Sequence, residues 1–197
     1  MKRIIAIAVV IAALGSYVIL TVAESFPVGK MVLSGQVLEL DNLTVMAKGD
    51  AGFVSSASDA NIPAGTMRLK SISADTIRMD LARDKSKKLI PKEASATGGV
   101  VMKAKRADVE KGDDGKQITV LRDVIATAQS AVTEGQDKIV LRGNVVVKVV
   151  EPGIAEPIAM LTGETVSVSL KDNKITVAGN PGKRAEITVT PKESEKQ

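Results

Sequence analysis

The sequence predicts an all-β domain of antiparallel strands, and three observations carry that prediction. Apolar residues recur with a period of two through most of the chain, the mark of strands with one dry face and one wet face. A phrase of strand, Gly, small or amide residue, and strand recurs at Gly35-Gln36, Gly98-Gly99, Gly143-Asn144 and Gly179-Asn180, with spacings of 63, 45 and 36 residues. Glycine inside a strand pattern marks a bulge or bend, so these are bent strands with unequal loops, not a rigid repeat. Turn-forming clusters separate the runs, and no window after residue 23 shows a helical period with caps. Two sheets packed face to face, or one sheet rolled over, satisfy all three.

Taken in order, Met1-Lys2-Arg3 is a short basic tip, expected on the cytoplasmic side. Ile4 to Ala23 follows, twenty residues without a charge. At about 1.5 Å per residue a helix of that length spans a bilayer core of about 30 Å, and the preceding positive charges orient it for export of the rest. Thr21-Val22-Ala23 before Glu24 would also suit signal cleavage. The run is longer than a usual signal core of about 7–15 residues, which favours an uncleaved single-pass anchor over a cleaved soluble form. Both readings place residues 24–197 outside the cytoplasmic membrane, in the periplasm if the membrane is an inner one. Residues 24–30, with Pro27 and Gly29, read as a linker.

The β domain is expected over 31–190. Met67 and Leu69 alternate with Arg68 and Lys70; Ile77, Met79 and Leu81 alternate with Arg78 and Asp80. Ile139, Leu141, Val145 and Val147 share one parity, against Arg142, Asn144 and Lys148. Val166, Val168 and Leu170 alternate with Thr165, Ser167 and Ser169, and Ile187 and Val189 with Glu186, Thr188 and Thr190. Asp113-Asp114-Gly115, Gly135-Gln136-Asp137 and Lys171-Asp172-Asn173-Lys174 are hairpin turns by composition. Residues 191–197 are polar and expected to fray.

Composition narrows the function. With no Cys and no His, disulfides, thiolate nucleophiles, imidazole bases and the usual zinc sites are absent. No phosphate-binding loop, dinucleotide fingerprint or nucleophile elbow occurs, so no catalytic residue, metal or cofactor is expected. The net charge of +4 includes Lys2 and Arg3; without them 25 basic residues face 23 acidic ones. That is an ordinary soluble surface. Aromatics are nearly absent, which removes the stacking platforms of single-strand nucleic-acid binders. The interior is aliphatic.

Residues Ala126-Thr127-Ala128-Gln129-Ser130-Ala131, a turn, and Lys138-Ile139-Val140-Leu141-Arg142-Gly143-Asn144-Val145-Val146-Val147 resemble the OstA-like family of lipopolysaccharide transport proteins. A weaker copy runs from Leu161-Thr162-Gly163 to Val177-Ala178-Gly179-Asn180, and fainter echoes surround Gly98 and Gly35. Length and apolar N-terminus are similar to the membrane-anchored, LptC-like branch, with the cleaved, LptA-like branch second. The resemblance implies an open antiparallel β-jelly-roll that passes lipid acyl chains between its sheets and joins other OstA-like domains by strand pairing. The expected partners are lipopolysaccharide or a related amphipathic lipid, an inner-membrane ABC transporter complex and another OstA-like periplasmic protein. Pro181 departs from the pattern where an apolar strand residue is expected.

A lipid with several chains exposes a large apolar area, worth roughly 25 cal/mol per Å² in water, so its carrier needs an aliphatic trough. On this reading the trough residues are Ile139, Leu141, Val145, Val147, Val166, Val168, Leu170, Ile175 and Val177. The plainer reading makes the same side chains core. The docking edge is expected at the last strand, with Arg184, Glu186, Thr188 and Thr190 facing outward and weakly protecting it. The rival function is an anchored structural β-sandwich that scaffolds an envelope complex and binds no lipid. Sealed or open sheets distinguish the two.

Overall fold

The computed structural model describes residues 17–20, 31–55, 58–59, 62–83, 85, 89–112, 114–135, 137–154, 156–179, 182 and 184–189. Among these residues eleven strands make a single antiparallel sheet: β1 (Tyr17–Leu20), β2 (Met31–Ser34), β3 (Val37–Asp41), β4 (Thr44–Ser55), β5 (Met67–Arg83), β6 (Leu89–Lys111), β7 (Gln117–Glu134), β8 (Lys138–Val150), β9 (Ala159–Ser169), β10 (Lys174–Ala178) and β11 (Glu186–Val189). The order is β1-β2-β4-β5-β6-β7-β8-β9-β10, with β3 also on β4 and β11 also on β9. The chain is therefore a meander of long strands, and each of the three hairpin turns read from composition joins two of them.

The long strands do not run straight. The register shifts in β4 between Lys48 and Ala51, in β5 between Ser73 and Thr76, and in β6 between Thr97 and Val100. It shifts again in β7 between Thr127 and Ser130, and in β8 between Arg142 and Val145. These shifts lie side by side and form one kink line across the sheet. The line folds the sheet into two leaves. Leaf one holds β3, β10 and the segments 44–48, 76–83, 89–97, 130–135, 137–142 and 165–169. Leaf two holds β2, β11 and the segments 51–55, 67–73, 100–111, 117–127, 145–150 and 159–163. This is the rolled sheet expected from sequence, an all-β jelly-roll.

Two of the four recurring phrases, Gly98-Gly99 and Gly143-Asn144, are local causes of the kink, and Gly49-Asp50, outside the phrase, is a third; Gly35, between β2 and β3, and Gly179, past the end of β10, do not take the left-handed conformation. Gly98 and Gly99 have φ of 82° and 58°, Gly143 and Asn144 of 83° and 47°, and Gly49 and Asp50 of 70° and 46°. Two successive left-handed residues turn the strand. Glycine takes that conformation freely, and Asn or Asp tolerates it. The first glycine of each pair also makes room for the neighbouring strand. A Cβ at Gly143 would stand 2.5 Å from Gln129 Oε1, and one at Gly49 would stand 2.8 Å from Gln36. At Gly98 it would fall inside the Asp75 carboxylate. Glycine on one strand thus accommodates a polar side chain on the next.

Inner faces of both leaves merge in one buried cluster, with Ile77, Leu141 and Val166 from leaf one and Leu33, Met102 and Val147 from leaf two. At the ends of the strands the leaves are tied by backbone. Met67 N–H donates to Leu170 C=O at 2.7 Å, and Leu170 N–H to Asp137 C=O at 2.7 Å.

The anchor expected at 4–23, the linker at 24–30 and the tail at 191–197 lie outside the described residues, except Tyr17–Leu20. Those four are extended, pairing with Ser34 to Met31 of β2, and not helical as the sequence reading expected. Backbone pairing of this kind and a bilayer span of all twenty residues use the same atoms and exclude each other. Among the described residues no helix is long and apolar enough to cross a membrane.

Candidate functional site

Between the leaves lies a cavity of about 320 Å³. Leaf one lines it with Ile77 and Met79 of β5, Ala94 and Ala96 of β6, Ala131 of β7 and Ile139 of β8. Leaf two contributes Phe53, Met67, Leu69 and Ile72, and Leu170 closes it from the β9–β10 turn. Strand alternation points these side chains inward. The void arises because the middle of leaf one carries alanine where β8 and β9 carry Val, Leu and Ile. The charged residues of its lining are the half-buried Arg68 and the exposed Lys92, Glu93, Asp137 and Lys171. An aliphatic interior with a polar rim suits an apolar chain attached to a polar head.

The nine residues proposed from sequence separate into three groups. Ile139 and Leu170 line the cavity. Leu141, Val145, Val147, Val166 and Val168 are sealed in the core, with Leu141, Val147, Val166 and Val168 at 0% exposure. Ile175 and Val177 are partly buried against that core from β10. The structure adds Ile72, Ile77, Met79 and the alanines, which the sequence reading did not assign. Their signal was the small size of Ala94, Ala96 and Ala131 on an otherwise bulky inner face.

The outer edge of leaf two is β11. It pairs with β9 through Glu186↔Thr162, Ile187↔Leu161, Thr188↔Met160 and Val189↔Ala159, and with no other strand among the described residues. Arg184 precedes the strand and is exposed; Thr190 lies outside the described residues. Ile187 and Val189 share the inner face with Leu161, yet they are 65% and 66% exposed. Among the described residues they stay largely uncovered.

A charge cluster ties the leaves at the far end of β6. Arg122, 6% exposed, donates to Asp108 at 2.8 Å, Glu110 at 2.5 Å and Glu151 at 3.1 Å. Arg106 also donates to Asp108, and Asn173 Nδ2 reaches it from the β9–β10 turn at 2.8 Å. Burial pushes the Asp108 carboxyl up, but hydrogen bonds from Arg106, Arg122 and Asn173 outweigh it and hold the group below the usual carboxylate range. Burial pulls the Arg122 guanidinium down, and its carboxylate partners more than restore it.

Asp108 therefore binds its proton less readily folded than unfolded. Its contribution is complete above the unfolded value of about 3.9 and is lost as pH falls through the lower folded value. The urea midpoint is expected to drop below about pH 4, and Asp108→Asn is expected to reduce that drop while lowering the midpoint at pH 7. A pH 3 to 7 series of urea titrations reads both. An unchanged acid loss in the variant would remove Asp108 from the account.

Fold and site together define a class: an open β-jelly-roll with an aliphatic chamber between its leaves and an exposed terminal strand. The structure of LptH, the LptA-homologous periplasmic component of the conserved lipopolysaccharide transport device from Pseudomonas aeruginosa, shares this fold. The TM-score is 0.53 at 13% sequence identity, over 82% of this chain and 95% of that one. No family model matches the sequence, and no curated protein matches it.

Proposed function

We propose that the protein is a periplasmic relay component of lipopolysaccharide transport, which shelters acyl chains between the leaves and passes the lipid to a partner jelly-roll. The observation that carries the reading is the chamber itself, aliphatic within and with exposed charged residues at its rim. A scaffold needs no such void, because packing alanine positions with larger side chains would stabilise it. The fold shared with LptH supports the same direction. The reading is carriage and not catalysis. Crosslinking of lipopolysaccharide to a photo-reactive residue on the chamber wall tests it.

Docking to a second OstA-like domain, or to the jelly-roll of an inner-membrane ABC transporter complex, uses β11. Its outer backbone edge and the uncovered Ile187 and Val189 offer hydrogen bonds and apolar area together. Residues 4–23 hold the protein to the inner membrane and leave the jelly-roll in the periplasm. In that state Tyr17–Leu20 are withdrawn from β2, which becomes a second open edge. Purification of the full chain from membranes reads both claims. The mature protein is expected to keep residues 4–23 and to bring down a jelly-roll partner that Thr188→Pro releases. A mature start at Glu24 would replace the anchor with a cleaved signal, and partner retention by the folded variant would move docking elsewhere.

A further inference from the structure

We infer that β1 is a removable cap: Tyr17–Leu20 close the β2 edge of leaf two, and that edge takes the β11 strand of a second copy only when a membrane has drawn the segment away. The inference rests on the anchoring and docking readings and adds the order in which they act. The first observation is the pairing itself. Tyr17, Val18, Ile19 and Leu20 stand opposite Ser34, Leu33, Val32 and Met31 in antiparallel register, and β4 holds the other side of β2. Both sides of β2 are therefore taken. At the opposite end of leaf two, β11 pairs with β9 alone among the described residues. β1 and β11 are each four residues long, so the β2 edge already holds a strand of the length that β11 would bring. β1 offers an outer edge of its own, but only its pairing with β2 holds it among the described residues. β2 is fixed by β4 and by Leu33, 1% exposed in the core. A strand added to β1 would have to order β1 with it; one added to a bare β2 would not.

The second observation is where β1 lies in the sequence. Tyr17–Leu20 belong to the uncharged run from Ile4 to Ala23. A bilayer span needs the backbone hydrogen bonds of that run for itself, so entry into a membrane must release β2. Ten residues separate Leu20 from Met31. A tether that short keeps β1 at an effective concentration near millimolar beside β2, and a free strand in solution must exceed that to displace it. Off the membrane, leaf two thus has one docking end, at β11. On the membrane it has two, and the chain can stand between two neighbours.

The chain has no cysteine, so introduced pairs read the register directly. Ile19→Cys with Val32→Cys puts thiols on opposed residues, about 4.5–5.5 Å apart at Cα and within disulfide reach. Ile19→Cys with Ser34→Cys is offset and lies beyond it. Full chain synthesised without lipid is expected to oxidise in the first pair and not the second; synthesised into bilayer discs, it is expected to oxidise in neither. The docking probe is a second copy, the oxidised Ile19→Cys/Val32→Cys chain, which presents β11 with its own β2 edge shut. Binding is read as the part that Thr188→Pro in the probe removes. It is expected to be about tenfold tighter to the wild-type chain in discs than without them, since a cap held in about nine chains of ten leaves one competent. Val18→Pro with Ile19→Pro removes both alternating donors of β1. With circular dichroism unchanged, that pair is expected to give the tight binding without discs. Equal binding by the disc-free wild type and the proline pair, or a disulfide formed in discs, overturns the inference. A mature chain that starts at Glu24 overturns it too, because β1 is then gone. If the probe binds nowhere, β2 is not a docking edge and the inference fails alone, while a jelly-roll partner that Thr188→Pro releases from membranes keeps the docking reading. If that partner is also retained, docking at β11 fails with it.

Discussion

Leu141→Arg is expected to leave the chain unfolded, not merely unable to bind lipid. Leu141 is 0% exposed between Ala131 of β7 and Val166 of β9, in the cluster that joins the leaves. Losing its burial removes about 2–3 kcal/mol. Forcing an unpaired guanidinium into the same place costs several kcal/mol more. Native domains hold only about 5–15 kcal/mol in total, so one substitution consumes most of the margin. Leu141→Ala, which leaves a void without a charge, is expected to cost about 2–5 kcal/mol and to remain folded. Circular dichroism and urea titration compare the two. A folded Leu141→Arg would mean that the leaves part at this position, and that the sealed core extends less far than β8.

Gly98→Ala and Gly99→Ala are expected to differ sharply although they are adjacent. Both residues have positive φ, and that conformation costs an L-residue roughly 1–2 kcal/mol. A Cβ at Gly99 meets nothing within 4 Å, whereas one at Gly98 enters the space of the Asp75 side chain. Overpacking of that kind adds about 1–3 kcal/mol. Gly98→Ala should therefore lose about 3 kcal/mol, or roughly 10 °C in Tm for a domain of this size, and Gly99→Ala about a third of that. Asp75→Gly in the Gly98→Ala background is expected to return the steric share. Equal losses at the two glycines would show that the kink is held by backbone conformation alone.

Much of the fold was legible because period-two alternation and turn chemistry act locally. Ile139, Leu141, Val145 and Val147 announced one inner face, and Asp113-Asp114-Gly115 and Lys171 to Lys174 announced hairpins at the places where they stand. The kink line was half legible. Gly98-Gly99 and Gly143-Asn144 showed in the sequence, because the left-handed pair demands glycine and then a residue that tolerates it. The matching bends in β5 and β7, at Ala74-Asp75 and Ala128-Gln129, carry no glycine. Their room is supplied by the glycine on the neighbouring strand, which no local pattern reveals.

The site was less legible for a related reason. Alternation tells which side chains point inward, but not whether the opposite leaf meets them. Val166 and Val168 are met and sealed; Ile77 and Met79 face the chamber; Ile187 and Val189 point the same way and stay largely exposed. That outcome depends on the sum of side-chain sizes across two leaves. The alanines of β6 and β7 decide it, and their small size signals a void only once the residues opposite them are known. The Arg122 cluster was hidden in the same way, since Asp108, Glu110, Glu151 and Asn173 converge on it from separate turns and strands.

Site-specific photo-crosslinking in cells tests lipid carriage most directly. A photo-reactive residue at Met79, on the chamber wall, is expected to capture lipopolysaccharide, and one at Ile118, exposed on leaf two, is expected to capture none. Capture should fall when transport is halted upstream, because a relay holds its cargo only in passage. No capture at Met79 in a folded, exported protein, or equal capture at both positions, would contradict the account and leave the jelly-roll as a scaffold.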